Sequence, residues 1–529
     1  MQDTHFDWVI VGSGFGGSVS ALRLSQKGYR VLVVEKGRRW SDSEFPKSNW
    51  NLRRYLWWPA FGLRGIQQIT FLRHVSILSG VGVGGGSLVY ANTLPVPKPE
   101  FFHNGSWAGL ADWEEELGPH YRTAQRMLGA TRNPRLHFGE EVIRDIGRDL
   151  GREEHFEPTE VSVYFGEAGE TVPDPFFDGE GPERTGCIEC GGCMIGCRHN
   201  AKNTLVKNYL YLAEKLGCTV LAETEITAIR PRDEGGYQLE GQTHRGWLRT
   251  EPVQITADRV VLSGGVLGTV DLLLRMRDDP RGLPDLSPRT GDMVRTNSES
   301  ILYLVSSRRD ADQDQGIAIG AILHTDDYSH VEPVRYPRGS GMWRLLLLPH
   351  APGDRWCQRL GRALAAVLKD PIRSLRAIFV PDLARYSTVL LYMRTLEGTL
   401  RFERAGWWLR RWFAPVSSRL PANAEPPRAS IPEATDLARR FAEKTGSLPM
   451  AAVPETLFNA PTTAHILGGA CIGADAEHGV IGPDHQVHGY PGLYVCDGAA
   501  VSANPGVNPS LTITAMTERA MAGIEARPT

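Results

Sequence analysis

The stretch from Asp7 to Glu35 constrains this chain more than any other. DWVIV reads as a short buried strand, Gly12, Gly14 and Gly17 then fall at GxGxxG spacing, SVSALRLSQKG has helical character, and YRVLVVE supplies a second strand ending on Glu35. Each glycine answers a separate demand: the first permits a tight turn, the second lets backbone approach a pyrophosphate, and the third lets helix and strand pack closely. The helix amino terminus then faces the phosphates, and an acid closing the second strand suits ribose hydroxyls. A glycine turn alone would say little, but the whole unit predicts a dinucleotide site holding Gly12, Gly14, Phe15, Gly16, Gly17 and Glu35. It does not separate FAD from a nicotinamide cofactor.

Distant segments narrow the choice. GVGVGGGSLVYANTL places Gly84, Gly85 and Ser87 in a second flexible loop, with Tyr90 and Asn92 in reach of a flavin ring; the plainer alternative is a glycine-rich hairpin. RVVLSGGVLGTVDLLLR repeats the strand, glycine turn and helix pattern. GYPGLYVCDGAA puts Asp497 and Gly498 at a strand end, where the carboxylate can hold a ribityl hydroxyl or merely cap the next turn. Ile226, Asn508 and Pro509 complete the expected cofactor contacts. A cofactor gripped from both chain ends requires those ends to fold together.

At 529 residues the chain exceeds one ordinary core, so two domains sharing a cofactor-bearing interface are expected. A formal net charge of -3 provides no basic footprint, which argues against nucleic acid as a partner. MQDTHF lacks the basic start and long apolar stretch of a secretory signal, giving a cytoplasmic expectation. No apolar run approaches the roughly 20 residues of a membrane span, which leaves peripheral contact with a membrane surface open.

Four of the eight cysteines crowd into GCIECGGCMIGC as Cys187, Cys190, Cys193 and Cys197, in C-x2-C-x2-C-x3-C order. This is the spacing of a bacterial ferredoxin run, although Arg198 replaces the usual proline and the run occurs once. An iron-sulfur cluster, 4Fe-4S or 3Fe-4S, is the leading expectation, with Cys218 as an alternative fourth ligand. Zinc and a metal-free thiol group remain alternatives.

Taken together, the opening fingerprint, GVGGGSLVYANT, WEEELGPHYRTAQRMLG, AKNTLVKNYL, GDMVRTNSE and the closing TAHILGG to NPSLTITAMTERA resemble the glucose-methanol-choline (GMC) oxidoreductase family, in its bacterial cholesterol oxidase-like branch. The resemblance fades between about residues 300 and 460, where a substrate pocket is shaped. It implies noncovalent FAD and oxidation of an alcohol to a carbonyl. On that basis His465, before LGG, takes the hydroxyl proton, and Asn508 holds the substrate oxygen. Read without it, His465 fixes a glycine turn and Asn508 caps a helix. The family can also shift a steroid double bond with an acidic residue; Glu299 is a candidate by proximity alone and reads better as a solvated turn acid. An iron-sulfur centre would favour a quinone or protein as electron acceptor over O2.

Between 300 and 460, SILYLVSS, STVLLYMRTL and TLRFER read as strands of a sheet roofing the flavin. Trp356, Leu360, Leu364, Val367 and Leu368 recur at helical spacing beside Arg359, Arg362 and Lys369, a pattern for a helix docked on its own domain or lying on an anionic membrane. WWLRRWF at 407–413, with Trp57 and Trp58, suits either a portal for a lipid-like substrate or core aromatics. The expected fold is α/β, α+β overall: a doubly wound Rossmann-like FAD domain from 1–300 and 461–529, and a 301–460 substrate domain of mainly antiparallel sheet and helices. The expected function is oxidation of a bulky apolar alcohol, sterol- or terpenoid-like; the rival is a flavin and iron-sulfur redox sensor with little turnover.

Overall fold

The strand His5–Val11 buries Trp8, Val9 and Ile10 completely, and this apolar run needs cover on both faces. In the computed structural model, which describes residues 5–528 apart from 247–248, 307, 309–311, 354 and 423, it forms the middle of a seven-stranded sheet. Val31–Val34 flanks it on one side and the long strand Thr250–Leu262 on the other, both parallel, with Val9 opposite Leu32 and Val260. Thr219–Leu221 extends the parallel set beyond Val31–Val34. Leu493–Val495 pairs in parallel with Val260–Leu262, so strands from both ends of the chain flank one central strand. Thr224–Pro231 and Tyr237–His244 add an antiparallel ribbon to the other half of Thr250–Leu262.

The helix Phe15–Gln26 packs on this sheet, and Tyr209–Lys215 and Ser510–Ala522 pack against that helix. Arg23 and Glu518 form a bidentate pair across the last contact, with both hydrogen bonds at 2.7 Å. The second glycine-turn helix, Gly265–Asp278, follows Thr250–Leu262 as its pattern requires.

A second seven-stranded sheet is antiparallel throughout, in the order Leu347–Pro349, Ser447–Ala452, Ser300–Ser306, Ser387–Arg394, Ser329–Val334, Ala321–His324 and Phe156–Pro158. Its two-residue alternation assigns the faces. Leu302, Leu304, Leu390 and Tyr392 pack with Ile143, Ile146, Leu437 and Phe441 of the helices Phe138–Asp149 and Pro432–Thr445. Ile301, Tyr303, Val389 and Leu391 face a cavity instead. A fully buried pair, Glu140 with Arg335 at 2.6 Å, ties the first helix to the segment following Ser329–Val334.

TLRFER departs from expectation. Thr399–Arg404 is a strand, but it joins Val294–Arg295 and Val416–Arg419 in a separate small sheet, because Leu400 and Phe402 enter the core of the first domain. Among the described residues no helix is long and apolar enough to cross a membrane.

Candidate active site

A single cavity of about 430 Å³ runs between the two sheets, and Gly12, Gly14, Phe15, Gly16 and Glu35 line one end. His465, Asn508 and Pro509 line its middle with Tyr90, and Tyr303, Trp343, Leu347 and Leu391 line the far end. Gly85, Ile226, Asp497 and Gly498 also border it. The nucleotide fingerprint and the carboxy-terminal histidine and asparagine thus open onto one space.

The first end fits a dinucleotide. Gly12 has a φ of 102°, and a Cβ on Gly16 would lie 1.6 Å from the Cys496 carbonyl oxygen, so the turn admits no side chain at either place. Gly17 does not line the cavity: a Cβ there would meet the Gly12 carbonyl at 2.1 Å, marking the close helix–strand approach. Glu35 is oriented by the Ser13 hydroxyl at 2.8 Å and the Gly37 N–H at 2.8 Å. Asp497 accepts from Thr269 Oγ1 at 2.5 Å and from the Ala499 N–H at 2.8 Å, so it caps the following turn while facing the cavity. Burial pushes its carboxyl up to about 6. Gly84 and Ser87 brace the second loop from behind: the Ser87 hydroxyl donates to the Gly84 carbonyl at 2.7 Å and accepts the Leu205 N–H at 3.1 Å. Asn92, at φ 73°, is fully buried outside the cavity lining.

At the middle, Glu299 holds His465. Its Oε2 lies 2.9 Å from His465 Nδ1, and its Oε1 accepts the N–H groups of Ala464 at 3.0 Å and His465 at 3.3 Å, with Thr463 Oγ1 also bonded. A carboxylate at Nδ1 fixes the proton there and leaves the Nε2 lone pair free to accept. Nε2 is 3.4 Å from Asn508 Nδ2, and that amide is also 3.4 Å from Glu332 Oε2. Burial disfavours the imidazolium, but Glu299 and Glu332 outweigh it and raise the His465 pKa above the ordinary histidine value. The buried Asn508 Oδ1 has no hydrogen-bond partner, a polar atom waiting for a bound group. Asn508 does not cap the helix Ser510–Ala522 through its side chain. Glu299, almost wholly buried and bonded at both oxygens, is not a solvated turn acid.

Glu332 is the residue that sequence reasoning misses. It sits in SHVEPV, a strand whose six residues are all buried, where nothing in the pattern marks a carboxylate as functional. Lys202 is missed as well. Its ammonium, buried, donates to the carbonyls of Tyr90 at 2.9 Å and Cys193 at 2.7 Å, stitching the cysteine loop to the second glycine loop. Burial lowers its pKa to about 7.

The iron-sulfur expectation for Cys187, Cys190, Cys193 and Cys197 is corrected by the structure. Among the described residues no group of three or more His, Cys, Asp or Glu side chains is placed to hold a metal ion, and all the cysteines are free. Glycines that promise a wrapped cluster serve a turn instead: Gly191 at φ 68° and Gly196 at φ 84° bracket the short helical turn Gly192–Ile195. Cys187 enters a small apolar cluster with Val161, Val163, Ala201 and Ile317, against which Cys193 and Cys197 pack. Burial pushes the Cys190 thiol up to about 11 and raises the Cys187 thiol as well. Cys218 lies in the core of the first domain.

Comparison with known proteins agrees with this geometry. A GMC oxidoreductase sequence profile matches residues 419–517, and an NAD(P)-binding Rossmann-like domain profile matches 10–42. The chain is 46% identical to a cholesterol oxidase of Mycobacterium tuberculosis, covering 97% of this chain and 90% of that one. It is 40% identical to a cholesterol oxidase of Acinetobacter baumannii, over 100% and 96% of the two chains. Among solved structures, pyridoxine 4-oxidase from Mesorbium loti superposes with a TM-score of 0.62 at 15% identity, over 98% of each chain. The chain belongs to the GMC oxidoreductase family, as an enzyme acting on CH–OH donors with FAD as its cofactor.

Proposed function

We propose that this enzyme oxidises the hydroxyl of a bulky, apolar, sterol-like alcohol to a carbonyl and passes the electrons to O2. The observation that carries the reading is the single cavity joining the nucleotide turn, His465 with Asn508, and a far end walled by Tyr303, Trp343, Leu347 and Leu391. An apolar chamber of that kind favours a large hydrocarbon body with one polar group aimed at the imidazole. The high identity to two cholesterol oxidases supports a sterol in that chamber. Residues 301–460, apart from Thr399–Arg404 and Val416–Arg419, supply most of the chamber's sheet, and 1–300 with 461–529 supply most of the cofactor's surroundings.

FAD, when bound, supplies the acceptor for the carbinol hydride. Gly12, Gly14 and Gly16 would take its pyrophosphate, Glu35 its ribose, and Asp497 its ribityl chain. His465 Nε2 accepts the hydroxyl proton, with Nδ1 anchored on Glu299. Asn508 holds the substrate oxygen at the same point. Glu332, the carboxylate that reaches Asn508 from the substrate-facing sheet, is the base we assign to a double-bond shift, and Glu299, bonded to His465, is assigned to positioning the imidazole.

The test is anaerobic. Cholesterol and smaller terpenols are added to the yellow holoenzyme, flavin bleaching is followed, and air is then admitted with peroxide measured. Rapid bleaching by the sterol and stoichiometric peroxide are expected. Bleaching by dithionite alone would replace this reading with the low-turnover redox sensor.

A further inference from the structure

The segment 351–380 folds as two helices, Trp356–Lys369 and Pro371–Ile378, which leave most of their large apolar side chains outward, with Leu360, Val367 and Ile378 half-buried. A helix on a water-soluble surface turns its large apolar side chains inward. Here the buried residues of the first helix are Arg359 and Ala363, and those of the second are Ser374 and Ala377. Trp356, Leu364 and Leu368 are 57%, 56% and 78% exposed, and Ile372, Leu375 and Phe379 continue the outward stripe. The inward face is held by specific polar contacts: Arg359 Nε donates to the Thr456 carbonyl at 2.9 Å and Arg373 to the Ser447 carbonyl at 2.5 Å. The outward stripe is therefore what the fold presents.

Its position relates it to the cavity. The first helix packs on Val453–Phe458 and Leu347–Pro349, and the second on Ser447–Ala452. Each of these contributes a cavity-lining residue, Pro454, Leu347 and Ala452 respectively. Exposed Leu345 and Phe458 adjoin the same wall. Trp58 and Phe413 meet with ring centroids 6.3 Å apart, two residues before the cavity-lining Pro415. Side chains at 410–412 lie outside the described part.

We infer that these two helices are a docking face for the anionic leaflet of a lipid membrane, set against the wall of the substrate cavity. Charge selects this occupant over a second copy of the chain. Residues 351–380 carry six basic and two acidic side chains while the whole chain has a net charge of -3. Arg355, Arg362, Lys369 and Arg376 are exposed around the apolar stripe. Apposing two such faces would bring like charges together, whereas an anionic leaflet receives the apolar stripe and the cations at once. The inference deepens the apolar-substrate reading by giving it an entry side, but it is measured without substrate, so either can fail alone.

The experiment is flotation of the full-length holoenzyme with phosphatidylcholine vesicles, with and without phosphatidylserine, at low and high salt. Binding that needs phosphatidylserine and weakens with salt is expected. Replacing Leu364→Ser, Leu368→Ser and Ile372→Ser together should reduce the bound fraction by about tenfold or more while leaving turnover of detergent-dispersed alcohol unchanged. If that variant misfolds, quenching of Trp356 fluorescence by brominated lipid, referenced to Trp356→Phe, reads the same contact. Absence of wild-type flotation at low salt, undiminished flotation of the triple variant, or no Trp356 quenching overturns the inference. So does a self-association, seen by sedimentation velocity, that the triple substitution abolishes without altering vesicle binding.

Discussion

Glu299 contacts His465 twice, through Nδ1 at 2.9 Å and through the backbone N–H at 3.3 Å, so one carboxylate sets both the ring and the chain that bears it. The charge raises the imidazole pKa, and a base must be neutral to work, so kcat/KM should rise as pH increases through that raised value. Glu299→Gln removes the charge and keeps the shape. Its acidic limb should move to lower pH by about one unit, read from the pH profile of kcat/KM.

His465→Ala should slow anaerobic flavin reduction by the alcohol by about 10²- to 10⁴-fold, with the bound flavin spectrum retained. Stopped-flow bleaching measures it. Undiminished bleaching would move the base elsewhere.

Gly16→Ala puts a methyl group 1.6 Å from the Cys496 carbonyl oxygen and 3.0 Å from Thr517 Oγ1. Rigid backbone cannot yield as a flexible side chain would, so a loss of about 1–3 kcal/mol or more is expected, together with FAD. Thermal melts and the flavin-to-protein absorbance ratio test this. Gly361→Ala, at a mid-helix position with nothing within 4 Å, should instead gain about 0.5–1 kcal/mol.

Arg335→Met strands Glu140, whose side chain is 0% exposed, without its partner. Breaking such a pair costs about 3–5 kcal/mol. Chemical denaturation should show most of it recovered when Glu140→Gln is added.

Glu455 is buried, accepts the Thr462 N–H at 3.2 Å, and is pushed by burial from 4.5 up to about 8. A raised folded-state pKa contributes stability that is complete below the unfolded value and is lost as pH rises through 8. The wild type should therefore lose stability between pH 5 and 9 at this site, and Glu455→Gln should flatten that slope. Melting temperature against pH is the readout.

The nucleotide half of this enzyme is legible in its sequence because steric demands there are local. Gly12 and Gly17 are glycines since no other residue fits, and a fixed spacing records it. Glu299 and Glu332 belong to the opposite case. Their places beside His465 and Asn508 depend on a strand order in which Ser329–Val334 pairs with Ser387–Arg394, a pairing no local pattern encodes. The cysteine run misleads for a related reason, since spacing specifies reach along a chain but not whether thiols turn inward to a common centre or outward into an apolar cluster. For Trp356–Lys369 the periodicity correctly marks a helix and is silent on which face meets the protein, which three-dimensional contacts to Thr456 and Gly353 decide.

The strand Val260–Leu262, held between Val9–Val11 and Leu493–Val495, bears on how the enzyme is made. During synthesis its far edge stays open until the ribosome has delivered Leu493–Val495, more than 200 residues after the strand itself. A chaperone or prolonged shielding of that edge would raise the yield of flavinated protein, and slow translation upstream of codon 493 would lower it.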